Sequence, residues 1–366
     1  MEAMNEDVNI DHIKDIARRA LNLSEEAAMH VEAVTKGGSS RLYYRIVYNT
    51  DNGISLNLEN ENKTDGNTDI SVQKNNDNNL QTVIVMKYNK SVEENNYYVS
   101  IAQFLGNIGI LAPRILYDEP RQGFIMMEDL GDKDLWSLRN ESWDVRRNYY
   151  FKTLDMIHTL HSYPVGNFPS ENVRLMQSFG KALYRWEHQY FLKHFITGVC
   201  HSKIDQSAIQ SIGKELNHLT GTLCKQKVCL VHRDFQSQNV MIYKGMPAII
   251  DFQGMRFGSL FYDLGSLLYD PYCVFTNEER TELLNYYYNL TVRKQDWKVF
   301  EEMFNLAAIQ RLMQALGAYG YLGLKAGKKE FLRYIPNGLN NLLDATGHCK
   351  CFPHLERLYR GCLLHI

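Results

Sequence analysis

The segment from Leu230 to Asp270 constrains the fold and the chemistry of this chain more than any other. It contains the pattern His-Arg-Asp-x-x-x-x-Asn at positions 232–239, followed by an apolar run that ends in Asp-Phe-Gln at 251–253. Phosphoryl transfer from ATP needs an aspartate that accepts the proton of the attacking hydroxyl. It also needs an asparagine and a second aspartate that hold Mg²⁺ on the phosphates. The pattern therefore predicts a phosphoryl-transfer site with Asp234 as the catalytic residue and Asn239 and Asp251 as the metal ligands.

The residues between Asn239 and Asp251 predict how these two ligands come together. Two short apolar runs flank Lys244-Gly245 in this stretch of 11 residues, as in a tight β-hairpin. Such a hairpin would return Asp251 beside Asn239. A histidine at position 232 more often fixes a loop through hydrogen bonds than takes part in chemistry, so we interpret His232 as structural support.

The composition indicates a globular enzyme without a polyanionic partner. The chain has 366 residues, enough for two lobes with substantial cores, and hydrophobic residues make up 45% of it. The net charge of −2 does not favour binding to nucleic acid, and the seven scattered cysteines indicate no disulfide framework. The N-terminal residues lack an apolar signal core, and no apolar run approaches the roughly 20 residues that span a bilayer. We expect a cytoplasmic, monomeric protein that does not bind membranes.

The hydrophobic patterns predict an α+β arrangement of two lobes with a cleft where they join. The first lobe, residues 1–130, combines a leading helix at Ile10–Leu23, five strands and a helix at Glu93–Gly109. Asp51–Leu80 contains nine asparagines and few apolar residues, and we interpret it as a long mobile loop between two antiparallel strands. The second lobe, residues 131–366, is mostly helical. Its helical spacing runs through 143–163, 173–199, 203–225, 258–271, 277–290 and 295–325.

A glycine-serine segment between two predicted strands is a candidate phosphate-binding loop. It comprises Gly37, Gly38, Ser39 and Ser40, whose backbone amides and hydroxyls could cover phosphates. The alternative is an ordinary hairpin turn, which such a sequence also favours. The catalytic pattern downstream favours the phosphate-binding role.

Lys87 is the candidate cation for the nucleotide phosphates, because it ends an apolar strand of the first lobe. It could reach the α- and β-phosphates and be oriented by a carboxylate of the next helix, Glu93 or Glu94. The alternative is an exposed lysine at a strand end, in which case Arg45 on the neighbouring strand is the reserve cation. Glu128 and Leu130 flank the link after the last strand of the lobe, where backbone groups would bind adenine.

Two further clusters of side chains are open to more than one interpretation. Trp186 and Glu187 lie in a segment rich in groups that bind sugars, since an aromatic face stacks on a sugar ring and a carboxylate accepts hydroxyl hydrogen bonds. Most aromatic helices of this kind are core. Near the C-terminus, one set of residues has zinc-ligand chemistry at tighter spacing than usual, and a chance cluster is the favoured interpretation. That set is His348, Cys349, Cys351 and His354.

These motifs resemble the aminoglycoside phosphotransferase/choline kinase family, and within it the bacterial kinases that phosphorylate N-acetylmuramate or N-acetylglucosamine at the 1-hydroxyl. His232-Arg233-Asp234, Asn239 and Asp251 match the family's catalytic and metal-binding positions. Softer similarities lie at 38–45, 123–132, 262–264 and 308–317. The resemblance implies a bilobal protein-kinase-like fold, ATP and Mg²⁺. Near the position of Lys87, bacterial kinases of this subgroup often carry an aspartate.

The residues favour a small-molecule acceptor over a protein, because only a dozen residues separate Asp251 from Asp263, too few for a long activation segment. We expect a sugar or amino-sugar kinase. An aminoglycoside or choline-type kinase is the alternative within the class, but the 160–225 region lacks the acidic cluster that a polycationic aminoglycoside requires. A nucleotide-binding scaffold without turnover is the alternative from another class.

Overall fold

The structure is a computed structural model that describes residues 10–34, 41–49, 80–202, 204–291 and 295–365. The chain separates into two units. The first comprises Met1–Val99 and Pro113–Asp129, and the second comprises Ser100–Ala112 and Leu130–Ile366. Among the described residues, no helix combines the length and the apolar composition that crossing a bilayer would require.

The first unit is built on an antiparallel sheet. Its strands are β1 (Met29–Val34), β2 (Leu42–Asn49), β3 (Leu80–Lys87), β4 (Ile115–Glu119) and β5 (Phe124–Glu128), in the spatial order β1-β2-β3-β5-β4. Helix α1 (Ile10–Leu21) is amphipathic and buries Ile13 and Ile16 against sheet residues that include Val85 and Met126. The five predicted strands are present, and α1 begins at the predicted Ile10 but ends two residues before the predicted Leu23.

Two local predictions for the first unit have different outcomes. The strands on either side of the asparagine-rich segment pair antiparallel, with Asn49 opposite Leu80, as predicted. The predicted loop ends one residue too late, because Leu80 begins β3, and its other residues, 51–79, lie outside the described residues. The helix predicted at Glu93–Gly109 is only partly α-helical. A 3₁₀ segment at Glu93–Tyr97 precedes helix α2 (Tyr98–Asn107), and most of α2 belongs to the second unit.

Helices make up most of the second unit. They are α3 (Trp143–Ser162), α4 (Lys181–Phe191), α5 (Gln206–Leu223), α6 (Leu260–Leu268), α7 (Asn277–Leu290), α8 (Trp297–Leu324), α9 (Ile335–Cys349) and α10 (Pro353–Cys362). The prediction of helix from residue 173 is wrong for 173–180. In this segment the backbone instead forms hydrogen bonds with residues 255–257. Met176 N–H donates to Met255 C=O, and Phe179 N–H donates to Phe257 C=O. The spacing of apolar residues also did not predict α9 and α10.

Helix α8 is the central element of the second unit, because it has buried residues on all of its faces. It packs closely on α6 at Gly265, where a Cβ atom would lie 2.9 Å from Cα of Ala308. Any larger residue at 265 would push the two helices apart. The close approach lets Ser266 Oγ of α6 accept a hydrogen bond from Arg311 Nε of α8 at 3.1 Å.

Two short antiparallel pairs complete the second unit. β6 (Cys229–Val231) pairs with β9 (Arg256–Gly258), and β7 (Val240–Tyr243) pairs with β8 (Met246–Ile249). The hairpin predicted around Lys244-Gly245 is confirmed. Both turn residues have positive φ, 51° and 78°, as a two-residue type I′ turn requires.

Candidate active site

The connection between β6 and β7 carries the residues of the catalytic pattern, and the hairpin brings the second aspartate to them. The side-chain amide of Asn239 donates to the backbone C=O of Asp234 at 2.9 Å. The backbone C=O of Asn239 accepts from Ile250 N–H at 3.0 Å, which places the next residue, Asp251, beside it. Asp251 has a left-handed backbone (φ 59°, ψ 34°). Asp234, Asn239 and Asp251 therefore belong to one local structure within the second unit.

A buried carboxylate of α6 holds the start of this loop. Asp263 is fully buried and accepts from the backbone N–H groups of His232 (2.7 Å) and Arg233 (2.8 Å), and it also bonds to Nε2 of His161 at 3.1 Å. Arg233 has a positive φ of 80°, an unfavourable conformation for a non-glycine residue that these bonds stabilise. The Nε2–H group of His232 donates to Ile250 C=O at 2.9 Å. His232 thus joins the loop to the strand that leads to Asp251.

A second buried carboxylate holds the other part of the loop. Asp270, just after α6, accepts from both the N–H (2.7 Å) and the hydroxyl (2.5 Å) of Ser237, and also from Tyr272 N–H at 3.0 Å. Charge-assisted hydrogen bonds of this kind are about twice as strong as neutral ones. Asp263 and Asp270 therefore anchor the catalytic loop at both ends to the region of α6.

Two guanidinium groups contact the carboxylate of Asp234. Arg233 Nη1 lies 2.5 Å from Oδ2, and Arg311 Nη2 of α8 lies 3.5 Å from Oδ1. Burial acts to raise the pKa of Asp234, but the charges of Arg233 and Arg311 outweigh it, and the pKa falls below its ordinary value. Asp234 is thus ionised at neutral pH, with about one fifth of its side chain exposed.

Arg256 of β9 adds a third cation to this neighbourhood. Its Nε donates to Gly254 C=O at 3.0 Å, and a Cβ atom on Gly254 would lie 3.9 Å from Asp234 Oδ2. Burial lowers the pKa of Arg256, as does the charge of Arg233, while Asp234 and Glu187 act in the opposite direction. Arginine cations thus dominate the electrostatics around the catalytic carboxylate.

The two candidate substrate residues have different environments. Glu187 of α4 is 1% exposed, and its carboxylate accepts from Tyr262 Oη (3.0 Å) and from Gln310 Nε2 (2.9 Å). Burial raises the pKa of Glu187, against the charge of Arg233 and these hydrogen bonds. Trp186 is 51% exposed and stacks on Tyr190 with ring centres 5.0 Å apart. Glu187 thus belongs to a buried network near the loop, and Trp186 belongs to the surface.

The nucleotide-binding candidates of the first unit lie in its sheet and in the 3₁₀ segment that follows β3. Lys87 ends β3, and its Nζ donates to Gln122 C=O at 2.5 Å and lies over the Phe124 ring. Glu94, predicted to orient Lys87, forms an ion pair with Arg41 at 2.8 Å. Arg45, the reserve cation, bonds to both carboxylate oxygens of Asp129, at 2.7 and 3.0 Å.

The remaining candidates are placed as follows. Glu128 ends β5, where its N–H donates to Arg114 C=O at 2.9 Å. Leu130 is buried in the second unit against Met241 and Ala248. The candidate phosphate loop, Gly37, Gly38, Ser39 and Ser40, lies outside the described residues.

The histidine-cysteine cluster near the C-terminus has other partners. Nδ1 of His354 bonds to Glu215 at 2.8 Å, and the Glu215 carboxylate also accepts the backbone N–H groups of His354 and Leu355 at the start of α10. His348 lies 3.8 Å from Asp344. Among the residues that the structure describes, no three or more His, Cys, Asp or Glu side chains group as a metal site would require.

Sequence reasoning did not find the residues that surround the catalytic loop. Asp263 and Arg311 lie in stretches that carry the family resemblance, but their sequence positions do not show that they contact Asp234 or its loop. Asp270 and Arg256 carried no signal beyond being charged residues in apolar surroundings. A charged residue within a buried, apolar stretch is the signal that could have marked them, because such residues are rarely fully buried unless they are paired.

Curated relatives of this chain are named N-acetylmuramate/N-acetylglucosamine kinase. The protein from Pseudomonas aeruginosa is 21% identical over 275 residues, which cover 73% of this chain and 78% of the relative. The protein from Neisseria meningitidis is also 21% identical, over 67% of this chain and 73% of its own length.

Solved structures of small-molecule kinases share the fold. The GDP complex of an aminoglycoside 2′-phosphotransferase mutant has a TM-score of 0.59 at 14% identity, over 93% of this chain and 98% of that one. Choline kinase from Cryptosporidium parvum has a TM-score of 0.57 at 13% identity, over 95% and 98%. Choline kinase from Streptococcus pneumoniae has a TM-score of 0.53 at 14% identity, over 93% and 99%. The predicted α+β, protein-kinase-like fold is thereby confirmed.

The family assignment rests on more of the chain than the catalytic pattern. The model of the phosphotransferase enzyme family matches residues 67–302, which include the sheet strands from β3 onward, the catalytic loop and the hairpin. The resemblance drawn from the sequence motifs is confirmed. This chain is a member of the phosphotransferase enzyme family.

Proposed function

We propose that this protein is an ATP-dependent kinase that transfers the γ-phosphate to a hydroxyl group of a sugar or amino sugar. The observation that carries the proposal is the local structure that brings Asp234, Asn239 and Asp251 together in a chain of the phosphotransferase family. The names of the curated relatives support an amino sugar as the acceptor. A protein that binds nucleotide without turnover has no need of all three residues.

Asp234 has the geometry and the charge for the catalytic role. Its pKa is held low against the effect of burial by Arg233 and Arg311, so it is a weak base that is always ionised near neutral pH. Such a carboxylate orients the acceptor hydroxyl and receives its proton late, as the bond to phosphorus forms. Catalysis is then mainly positioning and charge stabilisation.

Asn239 and Asp251 fit a magnesium ion bound to the nucleotide phosphates. The amide nitrogen of Asn239 is committed to Asp234 C=O, and within the described residues its amide oxygen makes no hydrogen bond. A carboxylate oxygen of Asp251 accepts from Gln253 Nε2 at 2.8 Å, which orients the group. One neutral and one charged oxygen ligand suit Mg²⁺, which takes its other ligands from phosphates and water. When bound, the ion neutralises phosphate charge.

The first unit supplies the remaining proposed contacts to ATP. We propose that the loop at Gly37–Ser40 and the ammonium group of Lys87 hold phosphates, and that Glu94 orients Lys87. We also propose that backbone groups at Glu128 and Leu130 bind adenine. Residues 1–130 then form the nucleotide-binding lobe and residues 131–366 carry the acceptor site, where Trp186 and Glu187 are the proposed acceptor-side residues. The proposal further places a monomer in the cytoplasm.

The charges around Asp234 argue against cationic acceptors. Arg233 and Arg311 pair with one ionised carboxylate, Arg256 adds a positive charge near it, and burial raises the pKa of the nearby Glu187. A polycationic aminoglycoside or a choline would be repelled by this arrangement. An aminoglycoside or choline-type kinase is therefore the weaker candidate, although the fold is shared with both.

A transfer screen with defined acceptors tests the proposed function. The purified chain is incubated with labelled ATP, Mg²⁺ and one acceptor at a time. The acceptors are N-acetylmuramate, N-acetylglucosamine, other free sugars, choline and kanamycin. NMR then gives the position of the phosphate. We expect transfer to the amino sugars. Transfer to choline or kanamycin alone, or ATP binding without transfer to any acceptor, would refute the proposal.

The proposed magnesium ligands lead to a specific prediction. Replacing Asp251 with Asn, or Asn239 with Ala, should raise the Mg²⁺ concentration for half-maximal activity at least about 10-fold and lower kcat at saturating Mg²⁺. The measurement is a Mg²⁺ titration at fixed ATP. Asp144→Asn, at an exposed carboxylate of α3, is the matched control and should leave the titration unchanged. An unchanged Mg²⁺ requirement in the Asp251 variant would remove that residue from the metal site.

A further inference from the structure

Arg256 is a buried cation with few protein partners. It lies in β9 opposite Val231 of β6 and is 6% exposed. Within the described residues, its guanidinium group makes one hydrogen bond, from Nε to Gly254 C=O, and no ion pair. The two Nη groups, which form the part of the guanidinium that binds anions bidentately, are not used in that bond.

A buried charge of this kind is costly unless an anion meets it. Proteins usually pair such groups, because taking an ion out of water carries a penalty of several kcal/mol. Here the surrounding residues orient the guanidinium group without neutralising it. Its carbon lies 5.2 Å from the centre of the Phe179 ring, and Nε is fixed by a backbone carbonyl. The arrangement resembles a binding site for an anion that the protein itself does not supply.

Arg256 lies next to the catalytic carboxylate but does not share its contacts. Its hydrogen-bond partner, Gly254, packs against the Arg233-Asp234 pair, since a Cβ atom there would lie 3.8 Å from Arg233 Nη1 and 3.9 Å from Asp234 Oδ2. Arg233 and Arg311 lie within ion-pair distance of Asp234, whereas no such pair forms with Arg256 among the described residues. A ligand whose hydroxyl reaches Asp234 can therefore bring a second group to Arg256.

We propose that Arg256 binds a carboxylate group carried by the sugar acceptor, and that it makes the enzyme prefer a sugar acid over the corresponding neutral sugar. This inference rests on the proposed function, because it concerns the acceptor of that reaction. Two parallel N–H···O bonds from one guanidinium group match the geometry of a carboxylate. N-acetylmuramate carries such a carboxylate in addition to its hydroxyl groups, and N-acetylglucosamine does not.

A phosphate of the nucleotide is the other anion that could meet this arginine. The phosphates already have proposed partners in Mg²⁺, Lys87 and the loop at Gly37–Ser40. Arg256 is therefore not needed to bind the phosphates. A phosphate-binding arginine would act equally on every acceptor, because each reaction uses the same donor. A carboxylate-binding arginine would act on one class of acceptor. The two sources therefore differ in a measurable way.

The test compares kcat/KM for N-acetylmuramate and N-acetylglucosamine in the full-length wild type and in Arg256→Gln. We expect the wild type to favour N-acetylmuramate. In Arg256→Gln, kcat/KM for N-acetylmuramate should fall about 30- to 100-fold, as expected for the loss of a charge-assisted hydrogen-bonded pair. The value for N-acetylglucosamine should stay within about threefold of wild type, since that sugar makes no use of the pair.

Two further variants make the result interpretable. Arg256→Lys keeps the charge but loses the bidentate geometry, so it should recover only part of the activity toward N-acetylmuramate. Arg360→Gln, at an exposed arginine of α10, is the matched control and should behave as wild type with both sugars. The KM for ATP should be unchanged in all three variants.

Each other outcome has a defined meaning. If Arg256→Gln loses activity equally with both sugars, or raises the KM for ATP, the arginine serves the nucleotide or the fold and this inference is wrong. It is also wrong if the wild type prefers N-acetylglucosamine. In both cases the proposed function stands. If the wild type phosphorylates neither sugar, the proposed function itself fails.

Discussion

Replacing Asp234 with Ala should lower kcat at least about 1,000-fold while the affinity for ATP stays within a few-fold of wild type. The physical reason is the position of the carboxylate at the head of the catalytic loop, ionised and held between the guanidinium groups of Arg233 and Arg311. Without it the acceptor hydroxyl loses both its orientation and its proton acceptor. Steady-state transfer to the sugar that the screen identifies measures kcat, and equilibrium binding of an ATP analogue measures affinity.

A conservative variant separates chemistry from structure at this position. Asp234→Asn keeps the size of the side chain but removes the charge, so it should lose nearly as much kcat as Asp234→Ala. The thermal unfolding midpoint of both variants should lie slightly below wild type, because the folded protein loses a carboxylate that Arg233 and Arg311 stabilise. Retention of more than a tenth of wild-type kcat by either variant would contradict the catalytic assignment.

Replacing Asp263 with Ala should destabilise the second unit by about 3–5 kcal/mol, because it leaves buried hydrogen-bond donors without an acceptor. This carboxylate accepts two consecutive backbone N–H groups, those of His232 and Arg233, and also contacts His161. Without Asp263, Arg233 also loses the hydrogen bond that stabilises its backbone at a positive φ. The measurement is chemical denaturation, followed by transfer assays on the fraction that remains folded.

Matched aspartates of the same unit provide the controls for this result. Asp144→Asn, at a carboxylate of α3 that is 84% exposed, should change the free energy of unfolding by no more than about 0.5 kcal/mol. Asp263→Asn is nearly isosteric, but its amide can present only one acceptor oxygen to two N–H groups, so it should remain clearly destabilised. Wild-type stability in the Asp263 variants would show that the loop does not depend on this contact.

The features that sequence reasoning captured are local ones. The hairpin follows from a glycine-containing turn between two short apolar runs, and its two positive φ values at Lys244 and Gly245 bear this out. The strands of the first unit follow from segments rich in β-branched and aromatic residues. The catalytic pattern places Asp234 and Asn239 in one short loop, where the Asn239 side-chain amide donates to the backbone C=O of Asp234.

The features that it missed depend on tertiary packing. Nothing in the spacing shows that Asp263 lies beneath the loop that begins 31 residues earlier, or that Arg311 reaches Asp234 from α8. The helix predicted from residue 173 fails because 173–180 lies beside β9, whose backbone offers hydrogen bonds that the local sequence does not reveal. Glu94 similarly pairs with Arg41, a residue distant in sequence. Propensity and periodicity describe one helix or strand at a time. They do not show which residues of two different elements come into contact.

The two carboxylates that hold the catalytic loop have a consequence for how it exchanges with solvent. The amide protons of His232, Arg233 and Ser237 point at buried oxygens of Asp263 and Asp270, not at water. Loops normally exchange deuterium through small local openings. These three amides should instead exchange only when α6 itself opens, with the protection of core helices. Slow deuterium uptake in a stretch that has almost no regular secondary structure would be the signature of this arrangement.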